Sequence, residues 1–262
     1  MANRVRLDQL LTDHGLARSR AEAQAMIHAG QVELDGTRRL KPGQLVPADA
    51  APTLLERPRW ASRAGEKLEA ALDAFEIDPT GMAALDAGAS TGGFTDVLLA
   101  RGARIVYAVD VGRAQLVQRL RDNPRVVSME RTNIRTLLEL PEPIDLTTLD
   151  LSFISLRLAL PAVKALLRPT GRVVALVKPQ FEAGRDDVPR GGVVRDPEVW
   201  QRVLVEVGSA AADVGLRPMR AIRSPITGGD GNVEFLVDLR GDAGDDRSTA
   251  AYLASVSEAR RL

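Results

Sequence analysis

Hydrophobic and polar positions follow a helical pattern at the start of the chain. Apolar residues recur at helical spacing between Val5 and Leu11, which predicts a first helix that ends at Gly15. Ser19 and Glu22 have the spacing of a capping box and predict a second helix ending near Gly30. The first thirty residues are therefore expected to form two short helices.

A hairpin and an extended linker are predicted to follow these helices. Gln31–Leu34 alternates like a strand, Asp35-Gly36 is typical of a hairpin turn, and Lys41–Gly43 predicts a second turn before Leu45-Val46. The next residues contain Pro47, Pro52 and Pro58 and are expected to form an extended linker that ends at Trp60. We therefore expect a small α+β domain over residues 1–59, linker included.

A different pattern, of short apolar runs separated by helical segments, begins at Met82. The predicted strands are Ala83–Ala87, Ile105–Val109, Val126–Met129, Ile144–Leu149, Arg172–Val177, Arg220–Ser224 and Val233–Leu239. The predicted helices are 94–101, 112–121, 155–167, 197–214 and a C-terminal tail after the acidic hinge 241–246. This alternation predicts an α/β domain over residues 60–262 with a doubly wound, mostly parallel sheet. The last two strands are too close for a crossover helix, so we expect an antiparallel hairpin at one edge.

Composition excludes several kinds of chemistry. The 262 residues include no cysteine and two histidines, so we expect no disulfide, no thiolate nucleophile and no metal site. No apolar run approaches the roughly 18 residues of a membrane-spanning helix, and the first residues lack a signal peptide. We therefore expect a cytoplasmic protein without stable membrane association.

Positive charge is concentrated near the N-terminus although the net charge is zero. Residues 1–63 hold 10 basic and 7 acidic residues. The cations of the first 41 residues are Arg4, Arg6, Arg18, Arg20, Arg38, Arg39 and Lys41. Such a group can contact phosphates, or it can be an ordinary solvated surface, and charge alone favours the second interpretation.

The first strand of the large domain is followed by a glycine-rich loop. Asp86 through Asp96 reads DAGASTGGFTD, at the position where an open α/β sheet brings its backbone close to a ligand. Asp110 ends the next strand, where an acid can accept hydrogen bonds from ribose hydroxyls. The loop lacks the dinucleotide glycine order, and Asp86 would attract a sulfonium or amino group, so S-adenosylmethionine fits better than NAD. The alternative is that the glycines serve only a tight turn.

Four charged residues are candidates for catalysis. Asp150 and Lys178 end predicted strands, Lys67 lies on the helix that enters the large domain, and Glu234 lies in the last hairpin. Lysine can lose its proton, so a lysine beside carboxylates can act as a general base. Each residue taken singly is more often part of a surface salt bridge.

These residues, in this order, resemble a known family. Lys67, Asp150, Lys178 and Glu234 are similar to the Lys-Asp-Lys-Glu tetrad of FtsJ-like ribose 2′-O-methyltransferases. The loop from Asp86 to Asp96 is similar to their cofactor loop. The N-terminal segments RLD at 6–8, GLARSR at 15–20, GQV at 30–32 and KPG at 41–43 resemble the S4 RNA-binding domain. Joined through residues 60–68, the two parts resemble the TlyA family of ribosomal RNA methyltransferases, which are also called hemolysins. One departure is RAG at 63–65, where a Gly-Gly pair is expected.

The resemblance implies a fold, a cofactor and a substrate. It implies a Rossmann-like methyltransferase fold after the S4-like domain, and methyl transfer from S-adenosylmethionine to cytidine 2′-hydroxyls of 16S and 23S ribosomal RNA. The implied cofactor residues are Asp86, Gly88, Ser90, Gly92, Gly93, Phe94, Asp110 and Asp150. Those expected to contact RNA are Arg4, Arg6, Arg18, Arg20, Lys41, Trp60 and Phe153. Ribosomal RNA or ribosomal subunits are the expected partners, DNA is not, and a monomer is favoured.

The remaining chemistry also favours a ribose acceptor. Pyrimidine C5 methylation generally needs a cysteine, and exocyclic amine methylation in related enzymes uses an Asn/Asp-Pro-Pro-aromatic turn where this chain has Asp150-Leu151-Ser152-Phe153. Lys178 is the expected base, oriented by Asp150 and Glu234, with Lys67 lowering its proton affinity by like-charge repulsion.

Aromatic residues and two other functions complete the expectations. Phe153 is a candidate to stack on an unstacked base, and simple packing is the alternative for Phe153, Phe94 and Trp60. The alternatives to the enzyme are a non-catalytic RNA-binding or ribosome-assembly factor and a membrane-lytic protein. No spanning segment or basic amphipathic helix in the sequence supports the membrane-lytic function.

Overall fold

A computed structural model describes residues 4–28, 31–37, 40–54, 59–228, 231–242 and 247–261. The chain divides into two compact units, Met1–Arg59 and Trp60–Leu262. Several expectations fall outside the described residues, namely those on Gly30, Arg38, Arg39, Pro58, Gly229, Asp230 and residues 243–246.

Two helices and two short strand pairs form the N-terminal unit. Its elements are β1 (Arg4–Arg6), α1 (Leu7–Asp13), α2 (Arg20–His28), β2 (Val32–Glu33), β3 (Leu45–Pro47) and β4 (Thr53–Leu54). β1 pairs antiparallel with β3, and β2 pairs antiparallel with β4. The apolar side chains of both helices are buried together with Val32 and Val46. Val5 therefore lies in a strand and not in the first helix, and the segment expected to be an extended linker contributes β4.

The predicted turns form in this unit. Leu34 and Thr37 exchange both backbone hydrogen bonds around Asp35 and Gly36, whose φ angles of 50° and 74° define a type I′ hairpin turn. The Ser19 hydroxyl accepts a hydrogen bond from the Glu22 amide at the start of α2, as the capping-box pattern predicts.

A seven-stranded sheet forms the centre of the large unit. Its strands are β5 (Ala83–Ala87), β6 (Ile105–Val109), β7 (Val126–Met129), β8 (Ile144–Leu149), β9 (Leu167–Val177), β10 (Arg217–Arg223) and β11 (Phe235–Arg240). The order is β10-β11-β9-β8-β5-β6-β7. β11 is antiparallel to both β10 and β9, and the five strands from β9 to β7 in this order are parallel to one another. The predicted mostly parallel sheet with an antiparallel edge hairpin is confirmed. Chain order reverses between β5 and β8, which is where open α/β sheets bind ligands.

Helices cover both faces of this sheet. They are α3 (Ala64–Ala74), α4 (Gly93–Ala100), α5 (Gln118–Arg121), α6 (Leu160–Leu166), α7 (Pro179–Glu182), α8 (Pro197–Asp213) and α9 (Arg247–Ala259). α3, α4 and α5 bury their apolar side chains against one face, and α6, α8 and α9 against the other. The loops at the carboxyl ends of the parallel strands lead from the sheet into the next elements of the chain, and these loops build the site.

β10 begins three residues before the predicted strand Arg220–Ser224, and β11 begins two residues after the start of the predicted Val233–Leu239. Three other elements differ more from their predicted bounds. The helix expected over 112–121 is reduced to α5, because Ala114 adopts a left-handed conformation at φ 52° and the residues before α5 form a loop. The helix expected over 155–167 is a 3-10 turn, Leu156–Leu158, followed by α6, with Pro161 in its first turn. β9 begins five residues before the predicted strand, because Leu167 already pairs with Ile144 across an irregularity in the register.

Candidate active site

Two adjoining cavities lie where β5, β6 and β8 end. The first has a volume of about 440 Å³ and is lined by Arg63, Lys67 and Phe94, among others. The second, of about 430 Å³, is lined by Asp110 and Phe153, among others. Gly88, Ser90 and Asp150 line both cavities. The two cavities therefore meet at the topological switch point of the sheet, where the pattern predicted a ligand.

Gly88 allows the glycine loop to approach the end of β8. It has a φ of +85°, which a residue with a side chain rarely adopts, and a Cβ on it would lie 2.3 Å from the Asp150 carbonyl oxygen. Both conditions require glycine. The close approach brings the two cavities together at Asp150.

The later glycines of the loop serve close packing. A Cβ on Gly92 would lie 2.3 Å from Leu120 of α5, and one on Gly93 would lie 2.3 Å from the Ser62 hydroxyl. Gly93 lines the first cavity but Gly92 lines neither. Gly92 therefore serves only a tight, closely packed turn, whereas Gly88 and Gly93 border the cavities.

Asp86 lies beneath the cavities and does not line them. Its side chain is fully buried and accepts hydrogen bonds from the Thr95 hydroxyl at 2.6 Å and the Thr148 hydroxyl at 3.0 Å. Burial raises the pKa of Asp86 to about 6, and these hydrogen bonds oppose the increase. The expectation that this carboxylate faces a sulfonium group is therefore corrected, since its contacts tie β5, α4 and β8 together.

Asp110 presents its carboxylate to the second cavity. Its two oxygens accept hydrogen bonds from the Ser90 amide at 2.8 Å and the Gly112 amide at 2.6 Å. Two backbone donors fix the carboxylate at the end of β6, and each oxygen keeps a lone pair for a further donor. Such an arrangement can hold a pair of ribose hydroxyls.

Phe94 and Trp60 are buried. Phe94 is 2% exposed and forms part of the wall of the first cavity. Trp60 is 8% exposed, and a Cβ on Gly65 would lie 2.4 Å from its ring. The expectation that Trp60 contacts RNA is therefore corrected: within its own unit the ring packs closely on the start of α3, which leaves no open face for a nucleobase. The glycine at 65 supplies the space that the ring requires.

The four tetrad residues form two ion pairs. Lys67 contacts Glu234, and the Lys178 ammonium lies 2.6 Å from Asp150 Oδ1 and donates a hydrogen bond to the Ser152 hydroxyl at 3.0 Å. Lys67, Lys178 and Glu234 are each less than 10% exposed. Each buried charge therefore has an opposite charge beside it, as buried ionised groups require.

This pairing changes two of the expected roles. Glu234 contacts Lys67, so it orients that lysine and not Lys178. The same contact neutralises the charge on Lys67, which weakens the like-charge repulsion assigned to it. Lys67 and Asp150 line the first cavity, and Lys178 and Glu234 are their ion-pair partners.

Phe153 stands out from the molecular surface at the edge of the second cavity. Its side chain is 90% exposed, its φ is +64°, and its ring lies 5.1 Å from the ring of Phe181. A large aromatic side chain this exposed is available to stack on a nucleobase. Sequence reasoning missed Ser152, Phe181 and Glu182 in this region, although all three lie within four residues of Asp150 or Lys178.

The basic residues of the N-terminal unit fall into two groups. Arg6 donates two hydrogen bonds to Asp8, and Arg20 lies 3.4 Å from the same carboxylate. Asp8 is fully buried, and the hydrogen bonds from Arg6 hold its pKa well below the usual range. Arg4, Arg18 and Lys41 are exposed and have no ion-pair partner among the residues described. The alternative that these cations pair on the unit's own surface thus applies to Arg6 and Arg20.

Comparison with known proteins identifies both units. The S4 domain model matches residues 5–50, and the FtsJ-like methyltransferase model matches residues 60–240. A 16S/23S rRNA (cytidine-2′-O)-methyltransferase TlyA of Mycobacterium tuberculosis is 47% identical over 92% of this chain and 91% of its own length.

Solved structures are similar over the whole chain or over the large unit. A structure from Streptococcus thermophilus that bears a hemolysin name is 41% identical, with a TM-score of 0.75 over 100% of this chain and 97% of its own. An S-adenosylmethionine-dependent methyltransferase structure from Listeria monocytogenes has a TM-score of 0.51 and 19% identity over 68% of this chain and 99% of its own, which shows the fold alone. Because the methyltransferase model covers more than half of the chain, and a relative of 47% identity spans nearly all of it, this protein belongs to the TlyA family of FtsJ-like, S-adenosylmethionine-dependent methyltransferases.

Proposed function

We propose that this protein transfers the methyl group of S-adenosylmethionine to the ribose 2′-hydroxyl of cytidines in ribosomal RNA, with 16S and 23S RNA as its substrates. The observation that carries the proposal is the Lys178–Asp150 ion pair at the end of β8 and β9, beside the glycine loop. A relative of 47% identity is named for the same reaction. A lysine beside a carboxylate is suited to take a proton from a hydroxyl, which ribose methylation requires.

The residues around the cavities fit the cofactor. Gly88 leaves room where a side chain would collide with Asp150, and the fixed carboxylate of Asp110 suits ribose hydroxyls. The first cavity, bordered by Gly93 and Phe94, has space for the amino acid part of the cofactor. When bound, S-adenosylmethionine supplies a methyl group on a positively charged sulfur.

Lys178 is the general base of the proposed reaction. Lys178 first releases its ammonium proton to solvent, and the neutral amine then accepts the proton of the 2′-hydroxyl. The 2′ oxygen would bond to the methyl carbon as the methyl–sulfur bond breaks, which leaves S-adenosylhomocysteine. The ammonium that results lies 2.6 Å from Asp150, so the positive charge that develops on Lys178 forms beside a fixed negative charge. Asp150 therefore orients the base and stabilises its protonated form.

Lys67 lines the first cavity and is held there by Glu234. The contact with Glu234 fixes the Lys67 ammonium, and an ammonium has three N–H donors, so donors remain for a substrate oxygen. We assign to Lys67 the stabilisation of the reacting ribose oxygen. Glu234 acts through Lys67 and is a positioning residue.

Phe153 receives the target base. Methylation of a ribose inside a folded RNA requires the nucleotide to leave its stack, and an exposed aromatic ring beside the cavity can replace the lost stacking. The substrate lies in ribosomes, so we place the reaction in the cytoplasm, and we propose that one copy of the chain is sufficient. No helix in the described part of the chain is long and apolar enough to cross a membrane.

Two groups of N-terminal variants are expected to behave differently. Arg18→Ala and Lys41→Ala should each weaken binding to ribosomal subunits and reduce the slope of log K against log salt by about one, because each removes a phosphate contact. Arg6→Ala should also lower the melting temperature, because buried Asp8 loses its main partner. Filter binding at several salt concentrations, with melting curves, measures both effects.

The cofactor affinity of all three variants should equal that of the wild type and serves as the control. Wild-type salt slopes for both Arg18→Ala and Lys41→Ala would contradict a phosphate-binding role for the N-terminal unit.

The proposed function is tested by methyl transfer to ribosomal subunits. Subunits from cells that lack the gene should accept label from S-adenosylmethionine with the wild-type protein, and subunits already methylated in the cell should accept none. Binding without transfer would favour a non-catalytic assembly factor. Lysis of vesicles with no transfer would favour the membrane-lytic alternative.

A further inference from the structure

Two segments that carry site residues contact each other through their side chains. Residues 151–155, here called the Phe153 loop, follow β8, and α7 follows β9 directly after Lys178. Lys178 donates a hydrogen bond to Ser152, and the rings of Phe153 and Phe181 are 5.1 Å apart. The position of the Phe153 loop thus depends on what α7 presents to it.

Glu182, the last residue of α7, makes the most specific of these contacts. Its side chain is 5% exposed, and one carboxylate oxygen accepts a hydrogen bond from the Ser155 hydroxyl at 2.6 Å. The other oxygen accepts one from the Leu156 amide at 2.7 Å. Burial raises the pKa of Glu182, because the charged carboxylate is less stable away from water. The two bonds fix the C-terminal end of the Phe153 loop in both position and direction.

The loop needs such a restraint. Phe153 has a φ of +64° and is not glycine, and such a conformation persists only where surrounding contacts determine it. Its side chain is 90% exposed, so burial of the ring does not supply the restraint. The contacts on the loop are the Lys178–Ser152 hydrogen bond one residue before Phe153, the Phe181 ring, and the Glu182 hydrogen bonds two and three residues after Phe153. The Glu182 bonds restrain the side of the loop that the other two contacts do not reach.

We propose that Glu182 is a positioning residue for RNA methylation, holding the Phe153 loop so that the exposed ring meets the target base at the edge of the second cavity. This proposal rests on the proposed function and extends it to a residue that lines neither cavity. In this proposal, substrate binding depends on the orientation of the Phe153 ring as well as on its presence.

The test is a double-mutant cycle between Glu182 and Phe153. Glu182→Met removes both acceptors at similar volume and should raise the KM for ribosomal subunits about tenfold, with an unchanged affinity for S-adenosylmethionine. In a Phe153→Ala background the same change should raise KM less than about twofold, because the ring it positions is absent. Equal costs in both backgrounds would overturn the proposal.

Conservative and control variants separate positioning from folding. Glu182→Gln should restore a near wild-type KM, since its carboxamide can accept from the Leu156 amide and donate to the Ser155 hydroxyl. Ser155→Ala removes one of the two bonds without altering α7 and should give part of the KM increase, which keeps the test available if Glu182→Met does not fold. Glu206→Gln is the matched control, because the Glu206 side chain is partly exposed and contacts Arg157, whose guanidinium also approaches Glu182. It should leave KM unchanged.

Hydrogen exchange of residues 151–157 gives a readout independent of activity. Glu182→Met should accelerate exchange in this segment, and Glu206→Gln should not. If the wild type methylates no ribosomal RNA, the proposed function fails. Hydrogen exchange still shows whether Glu182 restrains the Phe153 loop. Unchanged exchange in Glu182→Met would overturn the proposal whatever the activity.

Discussion

Lys178→Ala is expected to reduce methyl transfer to ribosomal RNA by about 10²- to 10⁴-fold, the usual contribution of a general base. The physical reason is that Lys178 takes the proton of the 2′-hydroxyl in the proposed mechanism, and without it Asp150 lacks the cation that it faces at 2.6 Å. The loss should appear in single-turnover rates. Affinities for the cofactor and for ribosomal subunits should remain within a few-fold of the wild type.

Two further variants distinguish a base from a fixed positive charge. Lys178→Arg keeps the charge beside Asp150 but cannot lose its proton, so it should be as inactive as the alanine variant. Lys164→Ala removes a lysine that donates to the Gly241 carbonyl, away from the lining of both cavities, and should be fully active. Substantial activity of Lys178→Arg would assign Lys178 an electrostatic role and leave Asp150 as the candidate base.

Asp110→Ala should weaken the binding of S-adenosylmethionine about tenfold or more. The variant removes the carboxylate that accepts hydrogen bonds from the two ribose hydroxyls. Hydrogen bonds to ionised groups contribute about 1.5–3 kcal/mol each, which accounts for an effect of this size. The change also removes the acceptor of the Ser90 and Gly112 amides, which loosens the glycine loop. Calorimetry with the cofactor measures the affinity.

Deoxyribose analogues separate these two effects. The wild type should bind the 2′-deoxy and 3′-deoxy analogues of S-adenosylhomocysteine more weakly than the parent compound, and Asp110→Ala should bind all three alike. Asp122→Ala, which removes an exposed carboxylate that only accepts from Gln118, is the matched control and should bind like the wild type. Equal discrimination by the wild type and Asp110→Ala would show that the ribose lies elsewhere.

β5 through β8 have the predicted bounds, because each is a short, mostly apolar run followed by a glycine or a charged residue. β5, β6 and β8 are also buried on both faces, which favours such runs. The loop before α5 was not predictable in this way, because the left-handed conformation of Ala114 depends on tertiary contacts and leaves no mark in the spacing of apolar residues. β9 was predicted too short because a register irregularity lies inside it.

The sequence predicted which residues form the site better than it predicted which of them contact each other. The residue types and strand ends indicated which side chains meet at the switch point, but not that Lys67 pairs with Glu234 and Lys178 with Asp150. Burial depth was also hidden: Asp86 has the position of a ligand residue, yet both its oxygens are bonded to threonines. These features depend on how segments far apart in the chain pack against one another, which the pattern of apolar residues does not specify.

The most direct measurement of the central claim is the chemical position of the transferred methyl group. Ribosomal RNA labelled by the wild-type protein from S-adenosylmethionine is hydrolysed in alkali, which cleaves after every ribose that has a free 2′-hydroxyl. Transfer to the ribose of cytidine predicts that the label appears in alkali-resistant dinucleotides whose first nucleoside is 2′-O-methylcytidine, and that Lys178→Ala forms them at least about 10²-fold more slowly. Label recovered in mononucleotides would place the methyl group on a base and contradict the account.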